Sequence, residues 1–116
     1  MSLIDPTQQA LNSAIEGAAL RQQLLSANLA NVNTPGYQRH DVDFHATLRD
    51  AMAAGATSAT YSPVVERGAV SADGNGIDVE RESAELAKNA LDQQALVTVA
   101  RSRIDVLVQA IGSGGA

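Results

Sequence analysis

Two histidines and two aspartates fall within six residues in His40-Asp41-Val42-Asp43-Phe44-His45. Imidazole and carboxylate are common ligands of a zinc ion. The two histidines are five apart, however, so on a strand they face opposite sides. The chain has no third His and no Cys to complete a tetrahedral set. The segment therefore reads as a solvated strand, and no metal site is expected. Asp73-Gly74-Asn75-Gly76 resembles part of a calcium loop but lacks the spaced acidic ligands and the closing Glu, which makes it a tight turn. Gly74-Asn75-Gly76 is too short to cradle a phosphate. Serines are present, but nothing places a nucleophile beside a base. Glu85 and Lys88 have the spacing of an exposed helical ion pair. The chemistry-bearing residues thus predict no catalytic site, no metal, no cofactor and no enzyme.

Composition narrows the classes further. The chain has 116 residues and a net charge of −5, with a pI of about 4.7. That sign argues against nucleic acid and against an anionic membrane surface as partners. No apolar run approaches the roughly 18 residues of a membrane span, so direct membrane insertion is not expected. Met1 to Gln9 lacks the basic and apolar regions of a secretory signal peptide. Export, if it occurs, would use a route that cleaves no such signal.

The elements come from periodicity. The reading is a mainly α chain forming one domain over 1–116. Two long antiparallel helices form a helical hairpin or coiled-coil core, with an irregular, partly extended middle. The first helix is expected over about 6–32. Asp5 suits the N-cap, Pro6 the first helical position and Gln8 a capping box. Its apolar stripe is Leu11, Ile15, Ala18, Leu25, Leu29 and Val32, with Ile4 extending the line. Gly17 is a weak point, worth about 1 kcal/mol against Ala. The second helix is expected over about 78–111, opening on Asp78, Glu80 and Glu82, which suit the helix dipole, and closing at Gly112. Its stripe is Val79, Leu86, Ala90, Val97, Ile104, Val108 and Ile111.

Each helix also has apolar residues off its stripe. Leu20, Leu24 and Ala27 lie on the back of the first. Leu96, Val99, Val106 and Leu107 lie off the second. A two-helix core would leave these in water, so Leu20, Leu24, Leu96, Val99, Val106 and Leu107 are the candidate subunit interface. The middle, 33–77, reads as a short strand at Asp41–His45, a short helix at Thr47–Ala54, a polar loop at Gly55–Thr60, and an extended Thr60–Glu66 that could pair with the first strand. A segment this long is either functional or ordered only against neighbours.

The junction between first helix and middle is the most specific stretch: Ala27-Asn28-Leu29-Ala30-Asn31-Val32-Asn33-Thr34-Pro35-Gly36-Tyr37. Asn28 and Asn31 share a helix face. Asn33 is expected in the left-handed region that closes a helix, and Pro35 bars extension. Gly36 suits the positive φ of a type II turn. The run resembles the N-terminal signature of the flagellar axial proteins, the rod, hook and hook-associated subunits. Asp41-Val42-Asp43-Phe44 and Glu85-Leu86-Ala87-Lys88-Asn89-Ala90-Leu91 are similar to the proximal rod member of that family. Asn28, Ala30, Asn31, Asn33, Thr34, Pro35, Gly36, Tyr37, Asp41, Asp43 and Phe44 are the positions that match the family motif. The resemblance implies a structural rod subunit of the basal body that assembles with itself, with FliE, and with FlgC and other rod proteins. It implies passage through the flagellar type III export apparatus and a place in the rod that spans the periplasm. Two rival readings stay open: another rod protein such as FlgC, and a cytosolic helical adaptor or chaperone.

Overall fold

The computed structural model describes residues 5–66 and 78–114. The Asp73–Gly76 turn and Ile4 lie outside the described residues. Helix α1 spans Pro6–Ala30, β1 Arg39–Asp41, α2 Phe44–Ala53, β2 Val64–Glu66 and α3 Val79–Gly114. The chain is mainly helical. Two long helices run antiparallel and a small two-stranded ribbon sits in the middle.

Local sequence sets the ends of α1. The Asp5 side chain accepts the Gln8 N–H at 2.8 Å, and Pro6 fills the first turn, where no N–H is needed. At the far end the helix closes on Asn31, whose Nδ2 donates to the Ala27 carbonyl at 2.8 Å and whose Oδ1 accepts from the Thr34 hydroxyl at 3.1 Å. Two turns follow, Thr34 N–H to Asn31 and Tyr37 N–H to Thr34. The expected left-handed Asn33 is not found: among the described residues no non-glycine has positive φ. Asn31 already satisfies the open end, and the left-handed residue of this exit is Gly36, where φ is +75°.

The expected strand at Asp41–His45 lies two residues too late. Asp43 caps α2 instead, accepting the Ala46 N–H, and draws Phe44 and His45 into a helix. β1 pairs antiparallel with β2, His40 opposite Val65. Helix α3 opens after Asp78, whose Oδ1 accepts the N–H groups of Glu80 and Arg81. It runs past Gly112, the expected stop, to Gly114.

The larger correction concerns which face of α3 meets α1. The line that turns inward is Glu82, Leu86, Asn89, Gln93, Leu96, Ala100, Arg103 and Leu107, a repeat of four and three. Of the expected stripe only Leu86 lies on it. Val79, Ile104, Val108 and Ile111 are exposed. Half of the true seam is polar, so a reading based on apolar residues alone rotates the helix. Leu96 therefore changes role. It packs on the Ala14, Ala18 and Phe44 cluster together with Leu48 and Tyr61, inside the chain. Leu107 lies on the same inward line and is half-buried.

The middle segment docks on the small-residue face of α1. Ala59 N–H donates to Ser13 Oγ at 2.8 Å. The Tyr61 ring lies over Gly17, so close that a Cβ there would meet ring atoms at 2.5–2.7 Å. Phe44 and Tyr61 stack with ring centroids 5.9 Å apart. Gly17 is thus a landing site for a ring rather than a flaw in the helix.

At the other end, Arg103 grips Asp5 through two bonds, 3.1 and 2.9 Å. The bond from Arg103, with help from the Gln8 N–H, pulls the Asp5 carboxyl down to about 2 from its ordinary 3.8. Because the folded value is the lower one, the stabilisation is complete above the unfolded value and disappears as pH falls through the folded one. The acid-induced fall in Tm between about pH 4 and 2 should therefore be smaller in Asp5→Asn than in the parent. Thermal melts across that range check this, and identical profiles would remove Asp5 from the acid response.

Candidate functional site

The residues singled out for metal chemistry do not converge. His40 sits in β1. His45 opens α2 and meets Asp92 of α3 at 3.1 Å. No group of three His, Cys, Asp or Glu capable of holding a metal ion exists among the described residues. Among the described residues no helix is long and apolar enough to cross a membrane.

What does converge is a polar node joining α1, β1 and α3. Asn28, fully buried, sends its Nδ2 to the His40 carbonyl at 2.7 Å and accepts the His40 N–H on Oδ1 at 3.0 Å. A side-chain amide thus does for β1 what a third strand would do. The Tyr37 hydroxyl reaches the same Oδ1 at 3.4 Å. Arg39, 3% exposed, pairs through Nε with Glu82, 0% exposed, and through Nη2 with Asp41 at 3.0 Å. Arg21 holds Asp41 at 3.1 Å and Glu85 at 2.7 Å. Burial pushes the Asp41 carboxyl up. Hydrogen bonds from Arg21 and the Val42 N–H, with the charges of Arg21 and Arg39, outweigh it and hold Asp41 below the usual carboxylate value. The groups are spent on one another, and the node's chemistry is that of a joint.

The remaining motif residues divide. Ala30, Asn33, Thr34, Pro35 and Gly36 are exposed on the exit from α1, with Asn31 half-buried beside them. Asp43 caps α2, and Phe44 is core. Of the candidate interface, Leu20 and Leu24 are half-buried, Leu96 is internal, and Val99 and Val106 are exposed. Sequence reasoning missed Arg21, Arg39, Glu82 and Asn89. A signal was available for Glu82 and Asn89, which fall seven apart on one line with Leu96 and Arg103, and none for Arg21 or Arg39.

Past Arg103, α3 runs on for roughly another 16 Å beyond the described start of α1. A groove of about 360 Å³ on this part is lined by Val99, Arg103, Val106 and Leu107 among others. Val106 is 63% exposed, and Val108 and Ile111 are exposed on a different side.

The family model described as "Flagella basal body rod protein" matches residues 8–38, which is α1 and its exit turns. The flagellar basal body rod protein FlgB of Salmonella typhimurium is 33% identical over 92% of this chain and 91% of its own length. FlgB of Escherichia coli K12 is 32% identical over the same shares. FlgB of Bacillus subtilis is 30% identical over 98% of this chain and 99% of its own.

The chain belongs to the FlgB family.

It is a structural subunit of the flagellar basal body rod. Of the readings left open, the cytosolic adaptor and the sister rod protein FlgC give way to this one. The family model ends at Gln38, one residue before Arg39. The family stretch therefore supplies Arg21 and Asn28 to the node. β1 and α3 complete it.

Proposed function

We propose that this FlgB-family subunit builds the proximal rod by packing its α3 against copies of itself and against other rod proteins. FliE would lie on its proximal side and FlgC beyond. It would reach the periplasm through the flagellar type III export apparatus without a cleaved signal, and it would act by shape, with no catalysis. The observation that carries this reading is the outer surface of α3. Leu91, Val99 and Val106 form one exposed apolar face, and Ile104, Val108 and Ile111 form another. A helix that is apolar on several sides belongs in the interior of something larger. The molecule is also drawn out, 67 by 26 by 15 Å, which gives side-by-side packing a long surface.

Val106→Asp tests it. The residue touches no part of the core cluster, so the isolated variant should keep its helical circular dichroism and unfold within about 0.5 kcal/mol of the parent. In an assembly the same carboxylate would be buried without a partner, so motility should fail and purified basal bodies should lack the subunit. Rods at normal levels would show that this face is not an interface. Leu96→Asp is a poor test of the same idea, because Leu96 is internal and its loss would unfold the monomer.

A further inference from the structure

The inward line of α3 contains one position that recurs every seven residues: Glu82, Asn89, Leu96 and Arg103. Each has a different kind of partner. Glu82 takes the Arg39 guanidinium and an N–H of Asn28. Asn89 donates to the Ala18 carbonyl at 2.9 Å and to Gln22 Oε1 at 2.8 Å. Leu96 packs on the cluster of Ala14, Ala18 and Phe44. Arg103 takes the Asp5 carboxylate. An anion, an amide, a hydrocarbon and a cation thus succeed one another along a single helical line, and α1 with β1 presents the complements in the same order.

We propose that this line is a register lock, which permits one alignment of α1 and α3 and rejects alignments shifted by a heptad. The argument follows from the two possible slips. Moving α3 one way brings Asn89 to Arg39, Leu96 to the Ala18 carbonyl and Gln22 amide, and Arg103 into the apolar cluster. A buried cation is left among hydrocarbon, and the guanidinium of Arg39 loses its carboxylate. Moving it the other way puts the Glu82 carboxylate against the Ala18 carbonyl oxygen, Asn89 into the apolar cluster and Leu96 against Asp5, so that neither Arg39 nor Arg103 keeps its carboxylate. Each slip leaves at least one charge of the line without its opposite partner and places a polar group in the apolar cluster. The companion line, Leu86, Gln93, Ala100 and Leu107, carries no charge and discriminates far less. Polar groups at a helical seam are best known for setting register at a cost in stability. Here the lock also fixes the height of Val106 and Ile111 relative to the ribbon at the other end, so all outward surfaces keep one relative placement.

The chain has no Cys, so spin labels can be placed at will. Gln9→Cys on α1 and Ala87→Cys on α3 are both exposed positions. A one-heptad slip would move the labels about 10 Å along the axis. Double electron–electron resonance on the full chain should give one narrow distance. In the variant Arg39→Met, Glu82→Leu, Asn89→Leu, Arg103→Leu the line becomes uniformly apolar. A second distance displaced by roughly the length of a heptad should then appear while helical circular dichroism is kept. A single unshifted distance would overturn the proposal. Loss of helix would count against it too, because apolar replacement at a pure register device leaves the pairing intact. The exchange Glu82→Asn, Asn89→Glu keeps composition and polarity and should lower Tm or shift the distance. If it changes neither, the order of the groups is immaterial and the lock does not exist.

Discussion

Arg39→Ala should cost about 3–5 kcal/mol, the loss expected when one partner of a buried ion pair is removed. The Glu82 carboxylate would be left in a fully buried place with the Asn28 amide as its remaining side-chain donor among the described residues. Against a typical total of about 5–15 kcal/mol, that loss takes from roughly a fifth to all of the folding stability of a small domain. Urea unfolding followed by circular dichroism measures it. The double variant Arg39→Met, Glu82→Leu should recover most of the loss, since replacing both charges by apolar groups of similar volume is often neutral or better. A single variant within about 1 kcal/mol of the parent would mean that the pair behaves as a solvated surface bridge.

Gly17→Ala should destabilise, although in an open helix the same change would be worth about 1 kcal/mol in favour. The added methyl would sit 2.5–2.7 Å from three atoms of the Tyr61 ring. A ring held by Phe44 and the Ala14–Ala18 cluster has little room to withdraw. Overpacking of this kind costs about 1–3 kcal/mol. The diagnostic is a change of sign. In a Tyr61→Ala background, Gly17→Ala should become stabilising by up to about 1 kcal/mol, because the obstruction has gone and only helix propensity remains. If the substitution has the same effect in both backgrounds, Tyr61 does not rest on this glycine.

The legible parts of this chain were those governed by local rules. The Asp5-Pro6 start, the Gly36 turn and the acidic opening of α3 follow from capping and backbone geometry within a few residues, and they stand in the structure as a reader of the sequence would place them. The errors share one cause. A stripe drawn through Val97, Ile104 and Val108 assumes that hydrocarbon marks the seam, and here Glu82, Asn89 and Arg103 mark it because their partners lie on another element. No local pattern in Arg39 announces that it will meet Glu82, which is 43 residues away. In the same way, Asp43 fits an alternating strand as well as it fits a helix cap. The choice falls to the cap because Phe44 then reaches the Ala14–Ala18 cluster. The site was legible as a family motif at Asn28 to Tyr37, but the role of Asn28 as a stand-in strand depends on where His40 arrives.

That stand-in has a bearing on which surfaces of the subunit can associate. A two-stranded ribbon has two edges on which a foreign chain could add, and such edges seed aggregates. Asn28 occupies both backbone groups of His40, so the β1 edge offers no template there. On the other side Pro63, immediately before β2, brings no N–H to an incoming strand. The long helix thus keeps its apolar surface open while the β1 edge is closed at His40. Closing that edge disfavours backbone pairing there, which accepts almost any sequence, and leaves side-chain packing on α3, where geometry can choose among partners.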